Sequence, residues 1–273
     1  MSNIDLAIAG ATGWTGSAIA LGAIDAPDIN LKSAIARRGA GQDLGTALGR
    51  EALGVPVYAD VNEALADVDV LVDFTSHATA RNIALAAIQR GVAVVIGSSG
   101  ITADDYREID SAARAAGIGA VAAGNFSLTA AMMLASAELA ARHLSHWEII
   151  DCAKSSKPDA PSGTANELAE RLADVRAPQV DLPVDQVSGH PDARGAAIAG
   201  TQVHSVRVPS FVVSTEIVFG ADHERLSIRH DAGGTAKPYV NGVLLAIRRA
   251  RGHVGLIRGL DRLLLAGSSG ITS

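Results

Sequence analysis

The segment Lys157-Pro-Asp-Ala-Pro-Ser-Gly-Thr-Ala165 puts a lysine, two prolines and a Ser-Gly-Thr turn directly ahead of a helical pattern over 166–173. Prolines fix the backbone, and glycine lets a ligand approach the main chain closely. A helix start presents unpaired N–H groups and the positive end of the helix dipole, so it attracts anions. Thr164 with Glu167 three residues on reads as a capping box. With Lys157 in reach, Ser162, Gly163 and Thr164 form a turn suited to a carboxylate or phosphate. The plainer reading is an ordinary capped helix after a Pro-rich turn.

A second constellation lies near the N-terminus. Gly10-Ala11-Thr12-Gly13-Trp14-Thr15-Gly16 follows a short apolar run, 4–9, and opens a helical pattern to about 24. Glycines there allow a tight turn, close backbone approach to a pyrophosphate, and close helix–strand packing. The spacing is G-x-x-G-x-x-G, so the G-x-G-x-x-G dinucleotide fingerprint is met only in part. At the end of the next strand candidate the chain reads Ile35-Ala36-Arg37-Arg38-Gly39. NAD sites use an acid at this place, whereas guanidinium groups suit a 2′-phosphate. Arg37 and Arg38 therefore predict NADPH over NADH. Phe74 in Asp73-Phe-Thr75, Gly97, Ser98 and Ser99 in Gly97-Ser-Ser-Gly100, and Asn125 and Phe126 follow further strand candidates. Ligands of doubly wound sheets bind at that edge, and small or hydroxylated residues leave room for a ribose and a nicotinamide.

The elements needed to position these groups are legible. Strand candidates at 4–9, 31–36, 68–74, 92–96 and 118–122 alternate with helices near 78–90 and 103–116. That alternation predicts an α/β fold: a Rossmann-like doubly wound parallel sheet over residues 1–126. A long Ala/Leu/Met helix (128–144), a strand at 147–151, a Pro/Gly/Asp-rich stretch (178–200) and three β-rich segments (201–208, 211–219, 225–230) follow. They predict a second, α+β domain over 127–238, with a mixed or antiparallel sheet, for substrate binding and oligomerisation. A closing helix is expected over Tyr239 to Ala250, and the C-terminal helical segment, 239–273, is expected to pack back on the first domain.

Composition narrows the class. The 273 residues are 48% hydrophobic and 19% charged, with 3% aromatics and 28 glycines, as in an ordinary soluble globular protein with close helix–sheet packing. A net charge of −6 argues against a nucleic-acid surface. Cys152 is the only cysteine, so no intrachain disulfide forms, and it reads as a small packing residue. The first residues lack a basic signal-peptide region, and apolar runs are too short for a membrane span, so a cytoplasmic protein is expected. Eight histidines show no metal-ligand grouping; no metal is predicted.

Together these residues resemble the 4-hydroxy-tetrahydrodipicolinate (dihydrodipicolinate) reductase family. The glycine loop, Asp73-Phe74-Thr75, Gly97 to Gly100, Asn125-Phe126 and above all Lys157-x-Asp-Ala-Pro-Ser-Gly-Thr164 fall in the family's order and spacing. Arg194-Gly195 and Val203-His-Ser-Val-Arg207 are similar too. The resemblance implies an NAD(P)H-dependent oxidoreductase of lysine biosynthesis, a homotetramer joined through its C-terminal sheets. Its substrate would be a cyclic unsaturated imine with two carboxylates, reduced to tetrahydrodipicolinate. It further implies that Gly163 and Thr164 bind a carboxylate and that Lys157 binds substrate and donates a proton.

The sequence also departs from the family. Where members carry His-His-x-His, the first being the proposed proton donor, this chain has Ala153-Lys154-Ser155-Ser156. Near residue 235, where an arginine is common, it has Gly233-Gly-Thr-Ala-Lys237. Three readings stay open: the family reaction with Lys157, Lys154 or water as proton source; a pocket retuned for another imine or conjugated carboxylate; or cofactor binding with little turnover. Lys154 is a candidate for added positive charge beside the substrate.

Overall fold

The computed structural model describes residues 3–98 and 100–266. They form two compact units, one made of residues up to Leu128 plus those from Ala236 onward, the other of Thr129–Thr235.

In the first unit, strands β1 (Ile4–Ala9), β2 (Ile29–Ile35), β3 (Val57–Tyr58), β4 (Val70–Asp73), β5 (Ala93–Ile96) and β6 (Gly119–Ala122) alternate with helices. The helices are α1 (Trp14–Ile24), the short α2 (Leu44–Ala47) and α3 (Val61–Ala64), α4 (His77–Gln89) and α5 (Ala103–Ala116). The sheet order is β12-β6-β5-β4-β1-β2-β3, where β12 is Gly255–Arg258, and the pairings are parallel. Because both faces of a parallel sheet are covered, its strands read as continuous apolar runs; Val70, Leu71 and Val72 of β4 are all fully buried. The chain winds from β1 towards β3 on one side and from β4 towards β6 on the other, so the topological switch lies between β1 and β4.

The second unit holds α6 (Leu128–Ala141, whose first residue belongs to the first unit), β7 (His146–Ala153), α7 (Gly163–Val175), β8 (Ala196–Ile198), β9 (Thr201–Arg207), β10 (Val213–Ala221) and β11 (Glu224–Ala232). Its sheet order is β11-β10-β7-β9-β8. The β7–β9 pair is parallel and the other pairs are antiparallel, which makes the sheet mixed. Burial alternates along β7, as expected of a sheet covered on one side. Trp147 and Ile149 pack with Met133 and Leu134 of α6, Leu168 and Leu172 of α7, and Phe219 of β10. The other face carries Glu148, Ile150, Val206 and Val218 along a groove of about 820 Å³.

The C-terminal segment differs from expectation. Instead of one helix over 239–273, α8 (Lys237–Ala250) is followed by β12 and α9 (Leu260–Ala266), and the residues after 266 lie outside the described ones. Gly255 and Gly259 both take positive φ, at 89° and 97°, so the helix cannot run through them and the four residues from Gly255 extend alongside β6. Among the described residues no helix is long and apolar enough to cross a membrane.

Candidate active site

The first unit gathers the expected cofactor residues at the carboxyl ends of its strands. Gly10 ends β1 in positive φ (79°), its N–H bonded to the Ile35 carbonyl at 2.8 Å. A Cβ there would sit 2.3 Å from the Phe74 carbonyl oxygen, and one on Gly16 would sit 2.1 Å from the Gly10 oxygen. Gly13 caps α1 without any side-chain bond. Ala11 and Gly16 are buried, Thr12 and Thr15 are half-buried, and Trp14 is exposed with its ring edge-on to Tyr239. The loop is thus a cradle of bare backbone at a helix start, which fits the pyrophosphate of a dinucleotide.

Arg37 and Arg38 follow β2 and are both exposed. The Phe74 ring fills the place of a side chain at Gly97, where a Cβ would meet it at 2.2 Å. Phe126 is buried 5.8 Å from that ring, and Asn125 accepts the Ser127 N–H at 2.9 Å. Ser99 lies outside the described residues.

Asp73 and Ser98 form a buried pair that the sequence did not single out. Asp73 Oδ2 accepts from Ser98 Oγ at 2.6 Å and Oδ1 from Thr75 Oγ1 at 2.7 Å. Burial raises the Asp73 carboxyl above its ordinary value, opposed only in part by the Ser98 and Thr75 hydrogen bonds. A carboxyl raised on folding holds its proton better in the native state, so stability falls as pH rises from about 3.8 through the folded value. Asp73→Asn should remove that slope. In urea unfolding, the variant's stability relative to wild type should be more favourable at pH 7 than at pH 4; parallel curves would refute the assignment.

The second unit holds the turn expected to bind an anion. The structure corrects its capping. Ser162, not Thr164, is the N-cap, its Oγ accepting the Ala165 N–H at 3.4 Å, and no Thr164–Glu167 box forms. The cause is tertiary: the buried Asp151 carboxylate accepts the Ser162 N–H at 2.9 Å and so fixes where α7 begins. Ser162 is itself buried, with N–H and hydroxyl both engaged within the chain. Gly163 and Thr164 are the first two residues of α7, whose N–H groups have no intrahelical partner. Gly163 is exposed and Thr164 half-exposed.

Lys157 is half-buried, its Nζ 2.7 Å from Asp159 Oδ1. That ammonium holds the Asp159 carboxyl below its usual range. Lys154 is exposed, and its carbonyl accepts the Lys157 N–H at 3.0 Å. Ala153, where the family histidine would fall, ends β7 with its side chain fully buried. His204 bonds to Glu148 Oε2 at 2.7 Å on the groove side of the sheet, and His230 to Thr129 Oγ1 at 3.1 Å.

Arg207 is the principal residue missed by sequence reasoning. Its Nη2 donates to Asp151 Oδ2 at 2.7 Å and to the Asp159 carbonyl at 2.9 Å. Burial works to raise the Asp151 carboxyl, but hydrogen bonds from Ser162 and Arg207 outweigh it and hold it below the ordinary value. The available signal was an aspartate at an inward position of an alternating strand, where an unpaired charge would be costly.

Profiles for dihydrodipicolinate reductases match the chain at residues 4–126 (N-terminus) and 128–264 (C-terminus). A 4-hydroxy-tetrahydrodipicolinate reductase of Moorella thermoacetica is 38% identical over 268 residues, covering 97% of this chain and 99% of that protein. One of Thermosynechococcus vestitus is 37% identical over 270 residues, covering 96% and 97%. The dipicolinate-bound dihydrodipicolinate reductase of Paenisporosarcina sp. TG-14 superposes with a TM-score of 0.84 at 27% identity, over 95% of this chain and 99% of that one. An amine dehydrogenase from Mycobacterium smegmatis shares the fold, with a TM-score of 0.66 at 17% identity over 96% of each chain.

Proposed function

Because this chain belongs to the dihydrodipicolinate reductase family of oxidoreductases, we propose that it reduces 4-hydroxy-tetrahydrodipicolinate to tetrahydrodipicolinate, with NADPH preferred over NADH. The observation that carries this reading is the turn at Ser162–Thr164. Two free helix-start N–H groups stand on a buried cap, with the ammonium of Lys157 on the same short loop. A substrate carboxylate meets both a dipole and a cation there. That a solved relative holds dipicolinate supports a cyclic dicarboxylate as ligand.

Once the substrate's 4-hydroxyl has left as water to give the unsaturated imine, a bound nicotinamide would supply the hydride. Gly10, Gly13 and Gly16 would hold the cofactor's pyrophosphate on bare backbone, and the exposed Arg37 and Arg38 would take a 2′-phosphate. Gly163 and Thr164 orient the substrate carboxylate. Lys157 donates its Nζ proton to the developing enamine, and Asp159 holds that ammonium in place. Lys154 adds positive charge from the exposed loop.

A second reading is favoured by Ala153. Its side chain is fully buried, so a histidine placed there must displace packed neighbours, at about 1–3 kcal/mol. A site closed in this way suits a retuned pocket for another imine or conjugated carboxylate better than the simple loss of one donor. NADPH oxidation with freshly generated 4-hydroxy-tetrahydrodipicolinate, run beside a panel of cyclic imines and unsaturated carboxylates, separates the two. Turnover of the first substrate alone supports lysine biosynthesis, and turnover of another alone supports the second reading. Failure on all, with intact NADPH binding, would leave a binding protein.

Replacing Arg37 and Arg38 together by alanine should lower kcat/KM for NADPH relative to NADH by about 10- to 100-fold, the worth of a lost charged hydrogen bond. An unchanged ratio would remove both from 2′-phosphate recognition. We propose further that four chains assemble through the open face of the five-stranded sheet, where Val206 and Leu182 along the groove are 38% and 50% exposed. Light scattering should give four chain masses, reduced by Val218→Arg in the groove.

A further inference from the structure

A buried polar hub stands behind the anion-binding turn. Asp151 is fully buried on β7, and its Oδ2 accepts three bonds: from Arg207 Nη2 at 2.7 Å, from the Ser162 N–H at 2.9 Å and from Ser205 Oγ at 3.2 Å. Arg207 also donates Nη1 to the Asp151 carbonyl at 3.1 Å and Nη2 to the Asp159 carbonyl at 2.9 Å. Asp159 in turn holds Lys157 Nζ at 2.7 Å. Charge therefore alternates from Asp151 through Arg207 and Asp159 to Lys157. The two working parts of the turn, its helix start and its lysine, hang from the same guanidinium.

The bonding pattern is not the one that would maximise stability. Arginine and carboxylate pair best through two parallel bonds, yet here Asp151 Oδ1 and Arg207 Nε have no hydrogen-bond partner although both are buried. Thr215, which faces Asp151 from β10, has a buried and unpartnered Oγ1. Leaving such groups unpaired has a cost. What the guanidinium gains by forgoing the second bond is a hold on the main chain of the 157–161 loop.

We infer that Arg207 is a positioning residue for carboxylate binding: through Asp151 it sets the start of α7, and through the Asp159 main chain it sets the place of Lys157. This inference deepens the proposed function and rests on its assignment of the turn to a substrate carboxylate.

The test compares wild type, Arg207→Lys and Arg207→Ala as full-length protein. Three readouts are taken: the Kd for NADPH, the Kd for pyridine-2,6-dicarboxylate, and hydrogen–deuterium exchange of peptides spanning 157–168. Arg207→Ala should weaken the dicarboxylate by at least about 30-fold and Arg207→Lys by less, since a lysine keeps the charge but not the fork. NADPH affinity should stay within about twofold, because the glycine loop lies in the other unit. Exchange should rise at 157–168 but not across β10–β11. Millimolar guanidinium should restore part of the dicarboxylate binding to Arg207→Ala. If exchange at 157–168 and dicarboxylate affinity both stay at wild-type values in Arg207→Ala, the inference fails. General loosening of the second unit, with β10–β11 exchanging as fast as the loop and no response to guanidinium, would also overturn it in favour of a purely structural role. If wild type does not bind the dicarboxylate but exchange at 157–168 rises selectively, the positioning role stands and the carboxylate assignment fails.

Discussion

Lys157→Ala is expected to lower kcat/KM for the imine dicarboxylate by about 10²–10⁴-fold, the usual worth of a positioned proton donor. The Lys157 side chain is 23% exposed, its ammonium ion-paired at 2.7 Å to Asp159, and it is carried on a loop that Pro158 and Pro161 stiffen. Such a cation can do two things for the substrate, attract a carboxylate and deliver a proton, and the two separate kinetically. Loss of attraction alone raises KM with kcat unchanged, whereas loss of proton delivery lowers kcat. Lys157→Arg separates them further, because guanidinium keeps the charge but does not release its proton near neutral pH. With Lys157 as donor, Lys157→Arg should keep KM within a few-fold of wild type and lose kcat nearly as far as alanine does. NADPH affinity should not move in either variant. Undiminished kcat/KM in Lys157→Ala would remove the residue from the mechanism and leave water or Lys154 as the proton source.

Gly16→Ala should be the most damaging single change in the cofactor unit. Its Cβ would lie 2.1 Å from the Gly10 carbonyl oxygen and 2.7 Å from the Gly10 carbonyl carbon, both main-chain atoms. No rotamer relieves a main-chain overlap, so helix α1 must move away from the end of β1, and the pyrophosphate cradle opens with it. Overpacking of this kind costs about 1–3 kcal/mol, which lowers Tm by roughly 2–4 °C per kcal/mol in a chain of this size. The dinucleotide Kd should rise by at least about tenfold if the loop holds the pyrophosphate as proposed, because the change closes the backbone approach. Gly163→Ala is the matched control, because a Cβ there meets nothing within 4 Å. Gly163→Ala should fold with wild-type Tm and bind NADPH normally, and any defect should be confined to the carboxylate. Equal loss of Tm in the two variants would contradict the steric account.

Much of this was readable from the chain because the signals are local. The alternation of short apolar strands with helices is written in successive residues, and the helix expected over 103–116 coincides with α5. Thr102 and Gly117 mark its ends, the first through a capping box with Asp105 and the second in the left-handed conformation. The helix expected over 239–250 coincides with α8, but its continuation to 273 does not hold, because an apolar run such as Gly255–Arg258 has no period of its own. Only its place beside β6 makes it a strand. The capping box assigned to Thr164 failed for a related reason. Spacing alone allows Thr164 and Glu167 to cap a helix, but Asp151, 11 residues earlier, holds the Ser162 N–H and starts the helix sooner.

The sequence by itself determined the fold class, the glycine cradle after β1 and the Lys157–Thr164 turn, since each is a property of consecutive residues. The tertiary structure alone decided what stands behind that turn. Arg207 and Asp151 are 56 residues apart and meet only because β9 pairs in parallel with β7, with Asp151 opposite Ser205 and Ala153 opposite Arg207. That register puts a guanidinium between the helix start and the loop that carries the lysine. It also leaves the position of the missing histidine buried at the end of the strand. Strand register depends on the whole sheet, so no reading of neighbouring residues reaches it.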